Sequence, residues 1–214
     1  MFRRKARPDE TTDGAPGAGE VTEGEVVDAG DSPTGPRDSD TLGPSELEGL
    51  IDFGSLLLPP PPEGLDVQMQ IEEESGQVTQ LLVTAPDGAV DLRAFAAPRN
   101  GDLWSDAREG LKADFAQHGA VTEERDGPWG LEVLAHLAMQ TPDGQPAVQP
   151  QRIIGINGPR WLFRATLLGR AAIDFDSKEF DEVINSVVVR RGAGAVPAGE
   201  SLPLTLPPGS FDEE

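Results

Sequence analysis

The chain has 214 residues and a formal net charge of −21, from 38 acidic and 17 basic side chains. It has no cysteine, which excludes a thiol nucleophile, a zinc ribbon, iron–sulfur ligation and a disulfide framework. Its acidity opposes the phosphate neutralisation that drives nucleic-acid affinity, so no direct DNA or RNA binding is expected.

The opening MFRRKARPDE is basic, but no apolar run follows it, and no apolar stretch approaches the roughly 18 residues of a transmembrane segment. A soluble, cytoplasmic protein is expected. Residues 1–48 are dominated by Gly, Pro, Asp, Glu, Ser and Thr, with few large apolar residues scattered among them. Such a segment buries too little apolar area to offset its ordering entropy, so it reads as a disordered acidic tail with a basic head. Thr11 and Thr12, set in DETTDG, are candidate phosphorylation acceptors. Arg3, Arg4, Lys5 and Arg7 read as a solubilising terminus, with contact to anionic lipid as the alternative.

In SELEGLIDFG, Ser45 and Glu48 have capping-box spacing for a short helical turn, and Pro59 to Pro62 then force an extended path. From Leu65 the period becomes two. LDVQMQIEEE, QVTQLLVTA and AVDLRAFAA are three strands joined by short turns. DLWSDAREGLKADFAQHG changes to helical spacing. Asp102 caps it, Leu103, Trp104, Ala107, Leu111 and Phe115 form its stripe, and Gly119 stands at the left-handed C-cap position, with His118 in the last turn.

A second run of strands follows: AVTEERD, LEVLAHLAMQ, VQPQRIIGI and WLFRATLLG. DFDSKEFDEVINSVVV then begins as a helix, with Asp176 and Glu179 at capping-box spacing. The expected architecture is a single α+β domain over 49–191. It has an antiparallel sheet of about seven strands with two helices packed on one side of it, followed by an extended Gly/Pro-rich acidic C-terminus over 192–214.

Within WLFRATLLG, Trp161, Phe163, Ala165 and Leu167 share one face, while Leu162, Arg164, Thr166 and Leu168 share the other. Arg164 stands among leucines, so it must snorkel, pair with a carboxylate or receive an anion. Glu132 is the expected cross-strand partner. The candidates for contact with a ligand or partner are Arg99, Trp104, Trp129, Glu132, His136, Arg160, Trp161 and Arg164, because Trp and Arg are enriched at binding hot spots. No triad, P-loop or calcium-loop spacing occurs, and DFDSKEFDE lacks the glycine and ligand order of a cation site, so no metal and no cofactor are expected. The first reading is a non-catalytic cytoplasmic module that binds a protein partner. The alternative is a small-molecule or anion sensor with a pocket between sheet and helix around Arg164. A third, an enzyme acting through Glu132 and His136, needs those two side chains within hydrogen-bond reach and open to solvent.

In order and spacing, the stretches DFGSLLLP, FAAPRNGDLWSDAREGL, GPWGLEVLA, GPRWLFRATLLGRAA and LPLTLP resemble an actinobacterial family, domain of unknown function thirty-seven ten. The resemblance covers roughly Asp52 to Pro208 and implies a cytoplasmic protein with a basic start and an acidic lead. It brings no activity or catalytic residue with it. The order of strands and helices is also similar to the PsbP and Mog1-like fold. Many members of that fold bind proteins, although folds host unrelated functions.

Overall fold

The computed structural model describes residues 35–208 apart from 100, 142, 176 and 177. The basic head, Thr11, Thr12 and the proposed cap at Asp176 therefore lie outside the described residues. Seven strands form one antiparallel sheet: β4 (Asp66–Ile71), β5 (Val78–Ala85), β6 (Gly88–Ala96), β7 (Val121–Gly127), β8 (Gly130–Gln140), β9 (Pro146–Asn157) and β10 (Trp161–Gly169). Their order is β4-β5-β6-β10-β9-β8-β7. Two meanders thus meet at the β6–β10 pair, and this puts the apolar WLFRATLLG strand in the middle of the sheet.

Two longer helices cover the sheet: α2 (Leu103–Gln117) and α3 (Lys178–Ser186). They lie on opposite faces, which corrects the expectation that both sit on one side. Phe180, Val183 and Ile184 of α3 join Leu92, Ile154, Phe163 and Leu167 in the larger core. Trp104 of α2 packs with Val133, Ala135, Ile153 and Leu162 in the smaller one. The physical reason is that both faces of β9 and β10 are apolar at their centres, so each face needs a cover.

Asp102 caps α2 by accepting from Ser105 N at 3.1 Å, and Gly119 closes it at φ +75°, as the sequence predicts. The helix carries the chain from β6 to β7 at the far edge, touching β7, β8 and β9 on the way. The same face of β4 and β5 carries the exposed Gln68 and Gln70 and the half-buried Gln80, Leu82 and Thr84.

A smaller sheet has the order β1-β11-β3-β2, from β1 (Arg37–Asp38), β2 (Ile51–Asp52), β3 (Leu56–Leu58) and β11 (Val188–Val189). Here residues 35–48 depart from the expected unstructured lead. β1 pairs in parallel with β11, and α1 (Pro44–Leu47) follows. The cap of α1 is at Gly43, whose N–H donates to Glu46 Oε2 at 2.9 Å, so the box begins two residues before Ser45. Polar links hold this segment: Arg37 N donates to Val187 O at 2.9 Å, and the Trp161 indole N–H donates to Asp38 at 2.7 Å. At the other end, Leu202 is buried, and isolated bridges tie Ser201 to Phe95 and Leu204 to Val78 and Gly54.

Candidate functional site

Arg164 and Arg93 stand directly opposite each other across the β6–β10 pair, on the face that α2 covers. Like charges in that position disfavour strand pairing unless they are compensated. Arg93 has compensation, since its Nε donates to Asp91 Oδ2 at 3.2 Å. Arg164 has less. Its guanidinium lies 4.9 Å from the centre of the Phe95 ring, and its buried Nε has no hydrogen-bond partner among the described residues. Burial and then the charge of Arg93 pull the Arg164 pKa below its ordinary value, while Asp91 opposes them. A guanidinium still stays protonated, so the fold holds a cation where its surroundings disfavour one.

Asp91 is the complementary half of this arrangement. It is 8% exposed, and its Oδ1 is buried without a hydrogen-bond partner among the described residues. An unmet donor and an unmet acceptor therefore lie on one face of one strand pair.

Two clefts meet at Arg164. The first, of about 380 Å³, is walled by Phe95, Leu103, Ala107, Leu111 and Leu162, with Asp106 and Asp114 of α2 also lining it. The second, of about 220 Å³, shares Arg164 and Leu111 with the first and is polar at Gln80, Asp91, Gln151 and Thr166. Gly155 of β9 is the register partner of Arg164 and carries no side chain. The Trp104 ring lies over Gly155 instead.

Glu132 is not the partner of Arg164, which corrects the expected pair. The two lie on opposite faces of the sheet, and β9 separates their strands. Glu132 accepts two hydrogen bonds from Arg152, Nε to Oε2 at 2.7 Å and a terminal nitrogen to Oε1 at 2.9 Å. Sequence reasoning missed Arg152. The available signal was its phase, since it shares a strand face with Ile154 and Ile156. The Glu132–His136 enzyme reading meets the same obstacle, because Glu132 is 1% exposed and committed to Arg152. His136 instead lies 3.8 Å from Glu123, beside a depression of about 360 Å³ that Arg125 and Phe175 also line.

The other candidates disperse. Trp104 and Trp161 are core residues at 5% and 2% exposure. Trp129 is half-buried and donates its indole N–H to Asn185 Oδ1 at 3.2 Å, while Arg99 and Arg160 are exposed. His118 caps the end of α2, with Nδ1 2.7 Å from Asp114 O. Among the described residues, no group of three or more His, Asp and Glu side chains could hold a metal ion, and no helix is long and apolar enough to cross a membrane.

No curated protein matches the sequence. A 1.50 Å crystal structure of a protein from Bacteroides thetaiotaomicron is similar at 16% identity and a TM-score of 0.37, over 67% of this chain and 48% of that one. The chain thus spans about half the length of that protein. The family model described as "Protein of unknown function (DUF3710)" matches residues 35–213, and the chain belongs to that family.

Proposed function

We propose that the protein binds a small molecule through a carboxylate or similar anionic group held by Arg164. The observation that carries this reading is the buried, unpartnered Nε of Arg164 at the junction of two clefts between α2 and the sheet. A charged donor left unmet in a partly dry site is costly, and an incoming oxyanion relieves that cost with charge-assisted hydrogen bonds. The first cleft lies within the usual size range of ligand sites, and its walls are apolar with a few polar groups. The adaptor reading has less support, because Trp104 and Trp161, two of its three tryptophan anchors, are core residues.

Thermal-shift measurements on the full chain with short organic carboxylates and inorganic phosphate test this reading. At least one anion should raise the melting temperature in a concentration-dependent way, and Arg164→Gln should remove the shift. An equal shift in the variant would place binding elsewhere.

A further inference from the structure

We infer that the ligand is a free α-amino acid with an apolar side chain, its carboxylate on Arg164, its ammonium on Asp91 and its side chain in the cleft beneath α2. The inference rests on the carboxylate reading and narrows it.

A simple anion answers half of the site. It satisfies Arg164 but brings its negative charge toward Asp91, whose Oδ1 is an acceptor and needs a donor. A zwitterion supplies both. Arg164 is opposite Arg93, and Thr166 is opposite Asp91, so Arg164 and Asp91 are diagonal neighbours on one face. Their Cα atoms are then about 7–8 Å apart, a separation that the long arginine and a small two-ended group can close. Gln80, Gln151 and Thr166 line the same polar cleft and offer further acceptors for the remaining ammonium hydrogens.

Charge favours the same answer. The Arg93–Asp91 pair is internally compensated, Asp106 and Asp114 line the neighbouring cleft, and the chain as a whole carries −21. This field repels a multiply charged anion on approach and is indifferent to a ligand of zero net charge. The side chain is set by the walls of the first cleft. Phe95, Leu103, Leu111 and Leu162 suit a leucine- or phenylalanine-sized group, while an acidic side chain there would meet the carboxylates of Asp106 and Asp114.

The test is isothermal titration of the full chain with L-leucine, L-phenylalanine, 4-methylpentanoate and 3-methylbutylamine. The last two are leucine without its ammonium and leucine without its carboxylate. Leucine or phenylalanine should bind at least tenfold more tightly than either truncated compound. Asp91→Asn should cancel that advantage, weakening leucine and, by removing a nearby negative charge, strengthening 4-methylpentanoate, and Arg164→Gln should weaken leucine and 4-methylpentanoate together. If 4-methylpentanoate binds as tightly as leucine and loses that binding in Arg164→Gln, the zwitterion inference falls and the carboxylate reading stands. If no carboxylate, amino acid or otherwise, binds, both fall. The comparison of ligands on the unaltered protein decides between these outcomes even if Asp91→Asn does not fold.

Discussion

The guanidinium of Arg152 and the carboxylate of Glu132 form a two-pronged ion pair whose side chains are 2% and 1% exposed. The strands make room for it: a Cβ at Gly127 would collide with the Glu132 carboxylate, and Gly127 ends β7 beside the hairpin into β8. Phe175 lies over Arg152, with its ring centre 5.2 Å from Cζ. Such a pair is a poor source of net stability but a costly one to break by halves, because the surviving charge stays buried.

Glu132→Gln should therefore destabilise the fold by about 3–5 kcal/mol in urea denaturation. The double variant Glu132→Leu with Arg152→Met should recover much of that loss, since neither charge is then left alone. A double variant no more stable than Glu132→Gln would mean that the loss comes from packing and not from an orphaned charge.

Gly155→Ala probes the second core. A Cβ there would enter the ring of Trp104, whose indole N–H is pinned to Leu131 O at 2.7 Å, so the ring cannot turn aside without losing that bond. Overpacking of this kind costs about 1–3 kcal/mol. The variant should show a lower urea midpoint and red-shifted tryptophan emission, as α2 is pushed away from the sheet. An unchanged midpoint and spectrum would mean that α2 is free to shift over β9.

The main sheet was legible because each strand advertises itself in two ways, by alternation and by a turn at its end. WLFRATLLG is β10 without a residue of difference, and Asp102 and Gly119 marked both ends of α2. The faces were harder to read. Alternation says which residues of a strand lie together, but not which face of a neighbouring strand they meet, so the sequence alone points Glu132 toward Arg164 and not toward its actual partner, Arg152. Polar tethering was also hidden. Residues 35–48 have the composition of a solvated lead, yet an indole N–H and a strand edge hold them through a few specific hydrogen bonds that no apolar pattern reports. At the candidate site, the arginine among leucines was visible in sequence. Asp91 was not, because its importance depends on a register that pairs Thr166 with it and Arg164 with Arg93.

Asp181 of α3 should make stability fall as pH rises. It is half-buried. Burial pushes its pKa up from the ordinary aspartate value, Arg152 pulls it back, and Glu132 adds to the rise. The folded chain thus keeps this proton to a higher pH than the unfolded chain, whose aspartates titrate near about 3.9. Between those two values the folded state binds more protons, so this group's contribution to stability declines with rising pH and stays low above its folded pKa. Asp181→Asn removes the effect. The variant should have a higher urea midpoint than the unaltered protein at pH 7, and the difference should vanish near pH 3, where both forms are uncharged. A gain that is equal at both pH values would point to packing or helix propensity instead.

Asp38 carries the last prediction, because it ties a segment of tail-like composition to the centre of the fold. Trp161 opens β10 at 2% exposure, and its indole N–H needs an acceptor once it is removed from water. Asp38 Oδ2 supplies that acceptor at 2.7 Å, while Oδ1 accepts from Asp40 N at 2.8 Å and holds the turn that follows β1. Asp38→Ala removes both bonds and leaves the indole donor buried, which costs about 1–3 kcal/mol. Asp38→Asn keeps a side-chain carbonyl that accepts from one donor, so it should lose less than alanine does. Urea midpoints should fall in the order unaltered protein, Asp38→Asn, Asp38→Ala, with tryptophan emission shifting to the red in the alanine variant at low denaturant. Equal midpoints for all three would mean that water replaces the carboxylate at no cost, and that the 35–48 segment rests on its other ties, the β1–β11 pairing and the Gly35 N–H bond to Asn185 Oδ1 among them.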